Sequence, residues 1–96
     1  MQLTLVCSKS TRKFFPDIKD VFIVEHSPTK AFVDEYVGSR QTNKIIAVGG
    51  GAVMDTAKIL GGEIEAYPTT AAGSVTSDHA VYWDGSKKCS FKKSIL

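Results

Sequence analysis

The stretch Ile45-Ile46-Ala47-Val48-Gly49-Gly50-Gly51-Ala52-Val53-Met54-Asp55-Thr56-Ala57-Lys58-Ile59-Leu60 constrains this chain more than any other. Its short apolar run has the length of a buried strand. Three glycines end that run, and Val53, Ala57 and Leu60 then recur at helical spacing, which predicts a strand turning sharply into a helix. The first turn of such a helix presents main-chain N–H groups without intrahelical partners and about half a positive charge. Glycines remove the Cβ atoms that would hold an anion away, so the turn suits a pyrophosphate. Two familiar nucleotide patterns do not fit: a P-loop needs Gly-Lys followed by Ser or Thr, and G-x-G-x-x-G needs a glycine where Met54 stands. On the glycines alone, a tight turn without a ligand is an equal alternative.

The rest of the chain supplies partners for this unit. Leu3-Thr4-Leu5-Val6-Cys7 reads as a first strand, and Val21-Phe22-Ile23-Val24 as a second. The second is almost wholly apolar, as expected of a strand covered on both faces in a parallel sheet. Ser27-Pro28 reads as a helix start, with serine as N-cap and proline in the first helical position. Phe32, Val33, Tyr36 and Val37 then form one apolar stripe, and Gly38 offers a left-handed exit. Gly61-Gly62 ends the second helix, and Glu63-Ile64-Glu65-Ala66-Tyr67 forms a fourth strand leading into Pro68-Thr69-Thr70. The segments flanking Asp84-Gly85 have the character of a β-hairpin. The expected fold is therefore α/β: an open, mostly parallel, Rossmann-like sheet with flanking helices and a hairpin near the carboxyl terminus, spanning residues 1–96 as one domain. Ligands of such sheets sit outside the carboxyl ends of the strands, where both the glycine turn and the Pro-Thr-Thr loop fall.

Gly-Gly-Gly-x-x-x-Asp-x-Ala-Lys, followed by Pro-Thr-Thr-Ala with a later Gly-Ser and then the hairpin segment Ala80–Phe91, resembles the iron-containing alcohol dehydrogenase family, in the group that includes dehydroquinate synthase. The resemblance covers nearly the whole chain, but only the amino-terminal, cofactor-binding portion of a family member. It implies hydride transfer between NAD or NADP and a small aldehyde, ketone or alcohol. Gly49, Gly50 and Gly51 would hold the pyrophosphate, with Ala52 where the family commonly has serine. Asp55 and Lys58 would border the cofactor and substrate cleft, a role the matching spacing favours over a mutual bond on the helix surface between neighbours about one turn apart. Thr69 and Thr70 would contact the cofactor, and Ser74, Thr76 and Lys88 are further carry-overs. The loop holding Ser74 and Thr76 is about two residues shorter than the family pattern, by the same resemblance, and lacks its acidic residue.

Ser8 stands where the family usually has an aspartate that accepts bonds from the adenosine ribose. A serine beside Lys9 and Arg12 would tolerate or attract a 2′-phosphate, so NADP is expected to be at least as acceptable as NAD. The family's helical domain, with an aspartate and three histidines for Fe²⁺ or Zn²⁺, has no counterpart here. The chain alone is then expected to be inactive, with a homodimer or a missing helical domain as its partner. A non-catalytic nucleotide-binding remnant is the alternative, and a dehydroquinate synthase-like lyase is disfavoured by Asp55-Thr56-Ala57-Lys58.

Other classes find little support. The net charge of +2 comes mainly from Lys87, Lys88, Lys92 and Lys93, with no nucleic-acid-binding signature beside them, and lysines on a strand edge explain them as well. No apolar run approaches the roughly 20 residues of a membrane span. The first residues lack a signal-peptide pattern, which leaves the cytoplasm as the expected compartment. His26 and His79 belong to no metal-ligand spacing, and Cys7 and Cys89 form no Cys-x-x-Cys pair.

Overall fold

The computed structural model describes residues 2–69 and 79–92, with the backbone alone for residues 91 and 92. Four parallel strands form one sheet: β1 (Leu3–Cys7), β2 (Asp20–Ile23), β3 (Lys44–Gly49) and β4 (Glu63–Pro68), in the spatial order β2-β1-β3-β4. A 3₁₀ turn at Arg12–Phe14 lies between β1 and β2, helix α1 (Lys30–Tyr36) between β2 and β3, and helix α2 (Gly51–Leu60) between β3 and β4. The antiparallel hairpin of β5 (His79–Asp84) and β6 (Lys87–Lys92) forms a second, separate sheet.

Alternation along the central strands divides the core. Val6, Ile45 and Ala47 face the helices and pack with Val53, Met54, Ala57 and Leu60 of α2 and with Phe32 and Tyr36 of α1. Leu5, Cys7, Ile46 and Val48 face the other way, where Phe15 and Ile18 of the β1–β2 connection cover them. β1 and β3 are the interior strands, and their near-continuous apolar runs follow from burial on both faces. Here β2 departs from expectation. It is an edge strand, half-buried over Asp20–Phe22, with Ile23 48% exposed. An apolar run shows that a strand can be covered, whereas the crossover order decides whether it is.

The α1 start also moves. Its N-cap is Thr29, whose side-chain oxygen accepts the Phe32 N–H at 3.2 Å, so the helix begins two residues after Pro28. The Pro28 carbonyl instead accepts the Trp83 N–H at 2.8 Å, holding the hairpin beside α1. Gly38 and Gly61 follow the two helices as expected. In the hairpin, Asp84 pairs with Lys87, which makes Gly85-Ser86 the turn and moves it one residue past Asp84-Gly85. Gly85 alone takes a positive φ, +61°, as a turn with glycine first requires.

At the amino ends of the strands a polar cluster ties three elements together. Asp20 accepts bonds from Thr4 at 2.6 Å and from Arg40 at 2.8 and 3.2 Å, while Asn43 donates to Thr4 at 2.9 Å.

Candidate functional site

The order β2-β1-β3-β4 sends the chain to one side of β1 and then back across it, so the strand order reverses between β1 and β3. In open α/β sheets the crevice at the carboxyl ends of such a strand pair is where ligands lodge. The glycine turn and Ser8 flank that crevice here.

The three glycines do different work. Gly49 ends β3 with φ +154°, and a Cβ there would lie 2.6 Å from Val53 Cγ2, so only glycine lets the first turn of α2 fold this closely over the strand. The Gly49 carbonyl accepts the Thr69 N–H at 3.1 Å, which fixes the end of β4. Gly50 is the N-cap of α2, in extended conformation and with no side-chain cap, and Gly51 opens the helix. Both are part-exposed, as is Ala52. The Met54 N–H returns to the Gly50 carbonyl at 3.1 Å, so the helix's own ladder starts there and the N–H groups of its first turn point outward from it.

Across the crevice, Thr11 proves to be the organising hydroxyl, and sequence reading missed it. It is 6% exposed, accepts the Ser8 N–H at 3.0 Å and donates to the Val48 carbonyl at 3.1 Å, stitching the loop after β1 to the end of β3. Ser8 Oγ lies 3.0 Å from the hydroxyls of both Ser10 and Thr11. The available signal was a serine and a threonine three residues apart directly after a strand, the spacing of a side-chain-closed turn. The two cations expected to favour a 2′-phosphate are engaged. Lys9 pairs with Glu25 at 2.7 Å, and the Arg12 guanidinium donates to the carbonyls of Phe15 and Ile18.

Asp55 and Lys58 are not a surface pair. Asp55 is 6% and Lys58 1% exposed, because β5 lies over this side of α2. Lys58 Nζ donates to the His79 carbonyl at 3.0 Å, and the Val81 N–H donates to the Asp55 carboxylate, whose Oδ1 has no hydrogen-bond partner. Burial pushes the Asp55 carboxyl above its ordinary range, opposed by the Val81 N–H and by the charges of Lys58 and Lys88. The structure thus groups Asp55, Lys58 and Lys88 at the helix–hairpin junction, with Lys88 itself exposed on β6. Asp55 stands about 6 Å along the helix from Gly51, at 1.5 Å per residue. Thr69 is exposed at the end of β4. Thr70, Ser74 and Thr76 lie outside the described residues.

Among the described residues no three His, Cys, Asp or Glu side chains come together as metal ligands. They do not fit a Fe²⁺ or Zn²⁺ centre. The described residues also include no helix long and apolar enough to cross a membrane.

No protein-family model matches the chain, and no curated protein does. Solved structures do. A protein assigned as an alcohol dehydrogenase from Ralstonia eutropha JMP134 is similar with a TM-score of 0.72 at 23% identity, over 96% of this chain and 30% of that one. An iron-containing alcohol dehydrogenase from Corynebacterium glutamicum is similar with a TM-score of 0.72 at 19% identity, over 97% of this chain and 30% of that one. The chain therefore spans about 30% of the length of these structures. Its α/β fold, with four parallel strands, two helices and a hairpin among the described residues, is that of part of an iron-containing alcohol dehydrogenase.

Proposed function

We propose that this chain is the NAD(P)-binding part of an oxidoreductase of the iron-containing alcohol dehydrogenase type, which interconverts a small aldehyde or ketone and its alcohol. The observation that carries the reading is the part-exposed Gly50-Gly51 opening of α2 at the crevice between β1 and β3. A pyrophosphate there meets main-chain N–H donors and the positive end of a ten-residue helix. The nicotinamide supplies the hydride chemistry when bound. The protein's own share is to bind and orient. Gly49 keeps the turn tight, Thr11 holds the ends of β1 and β3 together, and Asp55 and Lys58 anchor β5, which carries the chain back over α2.

The test separates binding from folding. Gly50 has φ −90° and ψ −159°, which an aspartate adopts readily, and aspartate is a favoured N-cap. Gly50→Asp should keep or raise the thermal midpoint while its carboxylate competes with the pyrophosphate and lowers NADH affinity at least about tenfold, roughly 1.4 kcal/mol. Fluorescence titration of parent and variant with NADH decides: unchanged affinity in the variant, or no saturable uptake by the folded parent, overturns the reading. The alternative reading is a nucleotide-binding module without turnover. Aldehyde reduction by the chain in the presence of Fe²⁺ or Zn²⁺ would exclude that module.

A further inference from the structure

Glu25 stands two residues beyond β2, at the carboxyl edge of the sheet, and reaches Lys9, two residues beyond β1, at 2.7 Å. The two strand ends are in register there, because the Val24 N–H donates to the Cys7 carbonyl at 2.7 Å. Glu25 also lines a cavity of about 190 Å³, together with Phe22, Val24 and Phe32 and with the polar side chains of His26, Thr29 and Thr56. A cavity lined by two aromatic rings and a few polar groups has the chemistry to take a flat heterocycle.

The first turn of α2 follows β3, and β2 lies two strands away across β1. Two strand spacings make about 10 Å, a span that an extended adenosine phosphate covers. We propose that Glu25, with Lys9 locked to it, is the residue that makes this site select NAD over NADP. The inference rests on the cofactor reading above. It replaces the sequence-based expectation that Ser8, Lys9 and Arg12 welcome a 2′-phosphate. A carboxylate here accepts the ribose 2′-hydroxyl. A 2′-phosphate arrives with a charge of roughly −1.5 to −2 at a lysine that is already neutralised, and Arg12 is held by two main-chain carbonyls. The hydrogen bond from Lys9, and its charge, hold the Glu25 carboxyl below its ordinary range, so it stays ionised at neutral pH. The role passes to the neighbouring strand from the position where Ser8 stands.

Dissociation constants of NADH and NADPH, measured on the 96-residue chain and on Glu25→Gln, test this. The side chain is exposed, so the substitution leaves the core intact. The parent should bind NADH more tightly. In Glu25→Gln, which frees Lys9, NADPH affinity should rise about five- to tenfold, the scale of one near-surface charge interaction, with a smaller change for NADH. A parent that prefers NADPH, or a variant with the parent's NADH-to-NADPH ratio, overturns the role of Glu25 while leaving the cofactor site standing. Failure of the folded parent to take up either dinucleotide overturns the cofactor reading and this inference with it.

Discussion

Two aspartates in this chain respond to pH with opposite signs. Asp20 is held below the ordinary carboxylate range, first by the Arg40 hydrogen bonds, which outweigh the opposing effect of burial, with the Thr4 hydrogen bond and the Arg40 charge adding to the lowering. Its contribution to stability is present above the unfolded-state value of about 3.9 and fades as the pH falls through the lowered folded-state value. Asp55 is the reverse. Burial raises its carboxyl, so between about pH 3.9 and the raised value the folded chain keeps a proton that the unfolded chain has lost, and stability falls as pH rises through that window. Asp55→Asn keeps an acceptor for the Val81 N–H and removes the ionisation. The variant should therefore gain thermal midpoint relative to the parent as pH climbs above about 4, with the two converging at lower pH. Parallel midpoint curves from pH 3 to 8 would refute this account of the unpartnered Oδ1. Neither sign is readable from residue types, because each depends on which segment packs over the carboxylate.

Among the elements, α1 is the least self-sufficient, having seven residues and no fully buried side chain. Isolated helices of that length do not hold in water. It persists because Phe32 and Tyr36 meet Phe22 edge-on at 6.0 and 5.3 Å, and because Thr29 caps its start. Thr29→Ala should cost about 1 kcal/mol in chemical denaturation, the usual worth of an N-cap hydroxyl, and leave the main-chain bridge from Thr29 to Trp83 in place. A loss below a few tenths of a kcal/mol would mean that the aromatic contacts alone set the helix start. The sequence pointed to Ser27-Pro28 for good local reasons. What moved the cap was the hairpin, whose Trp83 N–H takes the Pro28 carbonyl and holds that segment extended. By contrast α2 was legible throughout, since its apolar spacing, its glycine entry and its Gly61 exit are all local signals.

At the scale of the molecule, the described chain is two sheets unequally secured. β1 and β3 each have a strand on both sides and apolar cover on both faces. The hairpin has two strands, and its ties to the helices include Trp83 to Pro28, Lys58 to His79, Val81 to Asp55 and the buried Ala80. Amide exchange should accordingly be slowest in β1 and β3 and at least about tenfold faster in β5 and β6, which open without disturbing the main core. Equal protection in hairpin and sheet would show that the two open as one unit.

What the sequence settled by itself is the list of elements and the parallel class of the main sheet, since apolar period, capping residues and glycine breaks act over a few neighbouring positions. It also marked the strand-to-helix turn at Gly49–Gly51, because three glycines between a strand and a helix carry their own geometric meaning. The tertiary structure alone decided that β2 lies at an edge, that Asp55 and Lys58 are buried, that Thr11 spans the crevice and that Glu25 neutralises Lys9. Each of these depends on a partner 16 to 37 residues away in the chain, brought close by strand order and by the placing of the hairpin. Local periodicity holds no record of such pairings.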